Sequence, residues 1–333
     1  MILKSISKGG VKVTGQAAFR QEYPIPLLVI VGPTAVGKTE IAIELAHRLR
    51  GEVISADSVQ VYRYMDIGTA KPTLEERRGV PHHMIDIVDP DIDFTVYDYQ
   101  QMAKNCIREV HNRGKLPILT GGTGLYIKAV VDDYTFCSGK VNPSLRRYLQ
   151  EEMELKGKDT LFRLLREVDP LAAERVHPND SRRIIRALEF FYLTGEPISV
   201  QWERTRKKQS NYQLFMVGIA MERTYLYERI NRRVELMLEK GLLKEVKGLL
   251  ERGFRSDLKS MQSLGYFHLA SFLEGNWDWE TAVNTFKKDT RRYAKRQLTW
   301  FRADQRIRWL ERKPGNTKKT PVLDIICSMV EGY

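Results

Sequence analysis

The sequence predicts an α/β protein in which a P-loop three-layer sheet core carries a helical insertion domain. Three observations lead there. Leu27–Val31 is a short apolar, β-branched run that stops at a glycine-rich turn, the signature of a buried parallel strand. From there to about residue 131, strand-type runs alternate with amphipathic helical spacing, as crossover helices require. After Asp132 the strand-type runs disappear, and only helical spacing remains until a strand returns near residue 212.

The elements follow in order. After the first strand, Ile41, Ala42, Leu45 and Leu49 fall on one face of a helix over residues 38–49. Residues 52–56 read as a second strand ending at Asp57. Thr95 is placed to cap a long helix through Met102, Cys106, Ile107 and Val110, closed by Gly114. Residues 116–119 form a third strand, and Gly121-Gly122 open a helix through Leu125, Ile127, Val130 and Val131. Between Pro143 and Leu193 the apolar positions keep helical spacing, with Asp159 and Asn179 as expected caps. Residues 213–220 return as a strand, followed by a helix through Leu226, Ile230, Val234, Met237 and Leu238. Residues 313–319 read as a loop.

A chain of 333 residues exceeds the ~250–300 at which one hydrophobic core stops growing, so two packed units are expected. Their boundaries are residues 25–131 plus 212–322 for the core and 132–211 for the insertion, with residues 1–24 as an N-terminal extension. At 42% apolar and 29% charged residues, the chain is an ordinary folded protein. No apolar run approaches the ~20 residues of a membrane span, and the first 24 residues lack the apolar stretch of a signal peptide. Cys106, Cys137 and Cys327 are odd in number and far apart. They build neither a disulfide framework nor a zinc site, which fits a cytoplasmic protein. With no clear interface pattern, a monomer is expected.

The net charge of +12 is uneven. Residues 1–131 contribute +2 and residues 132–333 contribute +10. An excess confined to one part suggests a polyanionic partner, nucleic acid ahead of membrane.

Gly32-Pro33-Thr34-Ala35-Val36-Gly37-Lys38-Thr39 fits G-x-x-x-x-G-K-[ST] and lies between a strand and a helix, where that motif must lie. Its glycines let backbone N–H groups turn inward onto phosphate oxygens. Lys38 adds a point charge, and Thr39 is the expected ligand of Mg²⁺. Asp57 follows the second strand, whose end neighbours the P-loop in sheets of this class. It reads as a general base, with a cap or an outer Mg²⁺ contact as the alternatives. The third strand ends in Thr120-Gly121-Gly122-Thr123, without the carboxylate that an NTP-hydrolysing P-loop protein carries. One acid among hydroxyls points to transfer from a phosphate-bearing small molecule.

Adjacent His82 and His83 point to opposite faces of an extended segment and have no partner set, so a structural role is expected rather than a metal. Trp277, Trp279, Tyr266 and Phe267 read as packing. Three basic clusters carry the partner argument: Arg182-Arg183 with Arg186, the run Arg204–Lys208, and the segment Lys287–Arg296. In the last, Lys288, Arg291, Arg292 and Lys295 fall at i, i+3, i+4 and i+7, one cationic stripe with Tyr293, Trp300 and Phe301 nearby. Three clusters in one half of the chain favour nucleic-acid phosphates over a merely solvated surface.

Seven ordered segments make the sequence similar to the bacterial tRNA dimethylallyltransferase family. They are GPTAVGKT, SADSVQVYRYMDIGTAKP, PHHMIDIVDP, GGTGLY, HPNDSRRIIRALE, LGYFHL and AKRQLTWFR. The likeness runs from about Leu27 to about Leu310. The cysteines cannot form the zinc finger of eukaryotic members, which points to the bacterial type. The resemblance implies transfer of a dimethylallyl group from dimethylallyl diphosphate to N6 of adenosine 37, beside the anticodon of tRNA. By the same resemblance Asp57 is the base, Thr123 lies at the reaction channel and Arg223 holds the diphosphate. Asp57, Ser58, Val59, Gln60, Arg146, Arg182, Arg183, Ile184, Ile185 and Arg186 match positions that contact tRNA. The insertion and the basic helix would then grip opposite sides of the anticodon stem-loop. A small-molecule P-loop kinase or a non-enzymatic RNA-binding NTPase switch would fit the core alone. The kinase leaves the basic half and the missing strand-tip carboxylate unexplained.

Overall fold

The computed structural model describes residues 24–134, 142–207, 210–312 and 320–331. In chain order its elements begin with β1 (Ile25–Val31), α1 (Lys38–Arg48), β2 (Gly51–Ser55), α2 (Leu74–Arg77), β3 (His82–His83), α3 (Val96–Asn112), β4 (Leu116–Gly121) and α4 (Gly124–Val131). Five helices follow: α5 (Pro143–Lys156), α6 (Lys158–Val168), α7 (Pro170–Arg175), α8 (Ser181–Thr194) and α9 (Ile198–Lys207). The chain then returns through β5 (Tyr212–Met221), α10 (Arg223–Glu239), α11 (Leu242–Glu251), α12 (Tyr266–Leu273), α13 (Trp279–Arg302), β6 (Arg308–Arg312) and α14 (Thr320–Glu331).

The strands form one sheet in the order β3-β2-β4-β1-β5-β6, and every pairing is parallel. The predicted α/β class is therefore the observed one. β1 sits near the middle because both its faces are apolar. Leu27, Val29 and Val31 enter one core, Leu28 and Ile30 the other, and all five have no exposed surface. Burying each such side chain contributes about 1.5–3 kcal/mol, so this strand is the natural spine of the sheet.

Helices α3, α4, α11 and α12 cover one face, and α1 with α14 covers the other. Thr95 caps α3 as expected, in a capping box with Asp98. The order in which strands are added reverses about β1, although all run parallel. The connection after β1 passes over β4 to β2, while the connection after β4 crosses β1 to β5. Such a reversal opens a crevice outside the carboxyl ends of the strands, where α/β sheets bind ligands.

Helices α5–α9 contact chiefly one another. They bury a separate apolar cluster of Leu149, Leu165, Ala172, Ile184 and Leu188. The segment's two ends meet, with Ser210 Oγ donating to the Val131 carbonyl at 3.1 Å.

Several local expectations differ. The cap of α8 is Asp180, not Asn179; its side chain accepts from the Arg183 N–H. Helix α6 is capped at Gly157, and Asp159 lies in the first turn. Two edge strands escaped the sequence reading. β3 has only two residues, and β6 reads Arg-Trp-Leu-Glu-Arg, too short and too charged to stand out by pattern. Parallel pairing to an apolar neighbour makes them strands, and edges tolerate charge. The extension before residue 24, Cys137 and the loop 313–319 lie outside the described residues.

Candidate active site

The carboxyl ends of β1, β2 and β4 and the helices α10 and α13 enclose a cavity of about 1100 Å³. The P-loop closes its floor. Gly32 takes a φ of +147°, and a Cβ there would meet the Ile219 carbonyl oxygen of β5 at 2.5 Å, so no side chain fits this turn. Ala35 also turns left-handed, at φ 64°. Lys38 Nζ donates to the Gly32 and Pro33 carbonyls at 2.9 and 2.8 Å. Although Lys38 as a whole is partly exposed, its ammonium is enclosed. Burial, reinforced by the charge of Arg233 and opposed by Asp57, pushes it down to about 7. Thr39 is exposed and also lines the cavity.

Asp57 lines the same cavity, and its Oδ1 accepts from the Val59 and Gln60 N–H groups at 2.9 and 3.3 Å. It caps a turn rather than a helix, with one oxygen taking both backbone bonds, while the side chain also lines the cavity. Gln60 lines the wall, held by Ser55 Oγ at 2.9 Å. Val59 turns toward the core. Thr123 does not line the cavity. It stands behind the wall, accepting the Ser58 N–H at 3.0 Å and sharing a hydrogen bond with Tyr293.

Arg223 is displaced from its expected place. It is exposed at the first residue of α10, with its guanidinium 5.2 Å from the Tyr227 ring centroid, and is not among the residues lining the cavity. Helix α10 runs across the mouth of the site, so residues further along it face the P-loop. Arg229 Nε donates to the Ala35 carbonyl at 2.9 Å. The Arg233 guanidinium is enclosed; burial lowers its pKa and the charge of Asp57 raises it. These two arginines, spaced i and i+4, supply the cationic wall.

Two further residues come from α13. Gln297, 5% exposed, accepts the Thr34 N–H at 2.8 Å and donates to the Gly122 carbonyl at 3.0 Å. It pins the P-loop to the tip of β4, and a Cβ on Gly122 would collide with its amide. Tyr293 lines the cavity, hydrogen-bonded to Thr123 and Gln297. Burial, then the charge of Asp57, pushes its phenol up to about 12, so it acts as a neutral hydroxyl.

On the rim, Glu245 of α11 accepts from the N–H groups of Asp66, Ile67 and Gly68 at 3.0, 2.8 and 3.2 Å, and from Tyr266 Oη at 2.6 Å. It shapes the loop that forms the far wall. Lys71, 8% exposed, donates to Tyr62 O, Asp66 and Asp86 at 2.6, 2.7 and 2.5 Å.

His83 pairs with Glu52 at 2.7 Å, and His82 bonds the Val80 carbonyl at 2.9 Å. No cluster of three acidic, histidine or cysteine side chains suited to a metal occurs among the described residues. Trp277 packs edge-on to Phe267, and Tyr266 is fully buried. Both are packing residues, as expected.

The basic surfaces are only partly as expected. On α13, Lys288, Arg292 and Lys295 are exposed, but Arg291 turns toward α10 and donates to Asn231 Oδ1 at 2.6 Å. A helix turns 100° per residue, so the expected stripe is wide enough for one member to fall on the packed side. On α8, Arg182 and Arg183 are exposed, the latter 3.3 Å from Asp180. Ile184 and Ile185 are 0% and 8% exposed and belong to the insertion's own core, so their side chains offer nothing to a partner. Arg146 and Arg186 share the buried carboxylate of Glu189. In the Arg204–Lys208 run, Arg204 pairs with Glu196 at 2.8 Å, while Lys208 is outside the described residues.

Fold and site together define a P-loop α/β protein with a cationic cavity and basic helical surfaces. The chain belongs to the IPP transferase family, whose sequence model matches residues 60–304. It is 50% identical to a tRNA dimethylallyltransferase of Carboxydothermus hydrogenoformans, over 86% of this chain and 91% of that one. It is 52% identical to one of Desulforudis audaxviator, over 86% and 92%. Among solved structures, a full-length tRNA isopentenylpyrophosphate transferase of Bacillus halodurans matches with a TM-score of 0.69 at 46% identity, covering 92% of this chain and 97% of that one. A eukaryotic dimethylallyltransferase acting on tRNA matches with a TM-score of 0.79 at 29% identity, over 92% and 79%.

Proposed function

We propose that this protein transfers the dimethylallyl group of dimethylallyl diphosphate to N6 of adenosine 37 in tRNA, releasing diphosphate. The observation that carries the proposal is one cavity holding the P-loop, Lys38, Arg229, Arg233 and Asp57 together. A cationic cradle of this kind stabilises charge that grows on a departing diphosphate, the largest catalytic contribution expected here. The cavity's volume exceeds what a small prenyl diphosphate fills, leaving space for an incoming base.

The acceptor amine is a weak nucleophile because its lone pair is delocalised into the adenine ring. Asp57 accepts a hydrogen bond from that amine and takes its proton as the new C–N bond forms. Tyr293 and Thr123 hold the wall beside Asp57, and Gln297 fixes the P-loop opposite it. Mg²⁺ suits this donor set: with a single hydroxyl from Thr39 and few carboxylates, it would be held by Thr39, substrate phosphates and water. When bound, it neutralises charge developing on the leaving diphosphate. Adenosine 37 must leave its stack to reach the cavity, at a cost of a few kcal/mol, which contacts to exposed arginines and lysines offset. Single-stranded loops are also where RNA sequence is most readily read. A cytoplasmic monomer is the working state we assign. No helix among the described residues is long and apolar enough to cross a membrane.

The test is direct. The protein is incubated with radiolabelled dimethylallyl diphosphate, Mg²⁺ and an anticodon stem-loop carrying adenosine 37. Label entering the RNA is the expected result. ATP turnover with no labelled RNA would overturn the proposal in favour of a kinase or an NTPase switch.

A further inference from the structure

We infer that Glu189 is a positioning residue: it tethers Arg146 and Arg186 as one preset pair of RNA-facing guanidiniums on the insertion. The inference rests on the reading that this surface meets tRNA. Glu189 lies on α8 with no exposed surface. Its Oε2 accepts from Arg146 Nη2 of α5 at 2.7 Å and from Arg186 Nη1 of α8 at 2.9 Å. Its Oε1 is buried and has no hydrogen-bond partner among the described residues. The two arginine side chains remain 42% and 43% exposed.

That combination is poorly explained by stability. Helices α5 and α8 already meet through Leu149, Met153, Ile184 and Leu188. A buried carboxylate beside such residues carries a desolvation penalty, and replacing buried ion pairs by apolar residues is often neutral or stabilising. The arrangement does serve orientation. Two guanidiniums placed side by side repel, and each carries large rotamer freedom. A shared carboxylate oxygen removes the repulsion and holds one edge of each planar fork. The remaining N–H groups are left at the surface for phosphate or base edges. Two cations on one anion leave the trio positive. Arg182, exposed one turn before Arg186 on the same face of α8, extends the patch. Pre-ordering these side chains lowers the entropic cost of binding RNA.

The test uses the full chain and reads both binding and turnover. The Kd of a fluorescent anticodon stem-loop is measured by anisotropy, and kcat and KM are measured by label transfer. Glu189→Gln keeps shape and one acceptor but removes the charge. It is expected to raise RNA Kd and KM roughly ten-fold, with kcat at saturating RNA and KM for the diphosphate donor within two-fold of wild type. Thermal unfolding reports whether the variant folds. If it does not, Arg146→Lys combined with Arg186→Lys carries the test, because lysine keeps the charges and loses the planar fork. The same rise in RNA Kd is expected there. Unchanged RNA Kd in a folded Glu189→Gln, or in the double lysine variant, overturns the proposal. Arg146→Ala separates the two failures. If it weakens RNA binding while Glu189→Gln does not, positioning alone is wrong. If Arg146→Ala also leaves RNA Kd unchanged, the RNA-facing reading of this surface falls with it, and the transfer assay still judges the reaction.

Discussion

At the scale of single residues, Asp57 and Lys38 invite measurements that separate chemistry from structure. Asp57 holds the turn after β2 through Oδ1, so an alanine there would confound a lost base with a loosened turn. Asp57→Asn keeps the backbone acceptor and loses the base. It should cut kcat by ~10²–10⁴-fold with stem-loop affinity little changed; an unaltered rate would reduce Asp57 to a binding residue. Lys38 has its ammonium pushed down to about 7 by burial and by Arg233. Between that value and the ordinary lysine value of 10.5, the unfolded chain binds a proton that the ligand-free fold does not. Stability contributed by this group therefore rises with pH across that window. A bound diphosphate reverses the balance by favouring the ammonium. Calorimetry of pyrophosphate binding at pH 8, in buffers of different ionisation enthalpy, should show uptake approaching one proton, absent in Lys38→Met. Equal uptake in that variant would place the proton elsewhere. Asp57 and Lys38 were both legible in the sequence because motif spacing and strand ends locate them. Arg233 and Gln297 were not. An arginine at i+4 from Arg229 looks like a solvated helix face, and Gln297 stands 263 residues from Thr34, whose N–H it accepts.

At the scale of elements, α10 and α13 decide how the site is walled. The first was expected as a helix from its apolar spacing and the second from the spacing of its cations. Their directions were not, since periodicity fixes which residues share a face and says nothing of where the axis points. That is why the diphosphate arginine expected at position 223 stands outside and Arg229 and Arg233 stand inside. On α13 the split between exposed Lys288, Arg292 and Lys295 and the tethered Arg291 gives a contrast within one helix. Neutralising the three exposed residues should weaken stem-loop binding and flatten its salt dependence by about one unit for each phosphate left without its cation. Arg291→Ala should leave that slope nearly unchanged and cost about 1 kcal/mol of stability by removing the bond to Asn231. A salt slope that falls with Arg291 alone would put that residue on the RNA after all.

At the scale of the whole molecule, the insertion and the sheet are separable in their cores. Helices α5–α9 bury their own apolar cluster, and the segment leaves and rejoins the sheet where Ser210 meets Val131. Replacing residues 135–209 by a short glycine-serine linker should therefore leave a folded core that still binds pyrophosphate, with stem-loop affinity reduced at least ten-fold. Loss of pyrophosphate binding together with loss of folding would show that the two parts support each other. The sequence by itself determined the class of fold, the succession of the central strands along the chain, the phosphate loop, the acid opposite it and the half of the chain that carries the positive charge. Each of these is written locally, in a motif, an alternation or a count. Tertiary structure alone decided which arginines wall the cavity and which cations of a helical stripe stay exposed. It also decided that a neutral glutamine locks the loop and that two surface arginines share one buried carboxylate. These depend on where helix axes cross the sheet, a property of packing between distant segments that no local spacing encodes.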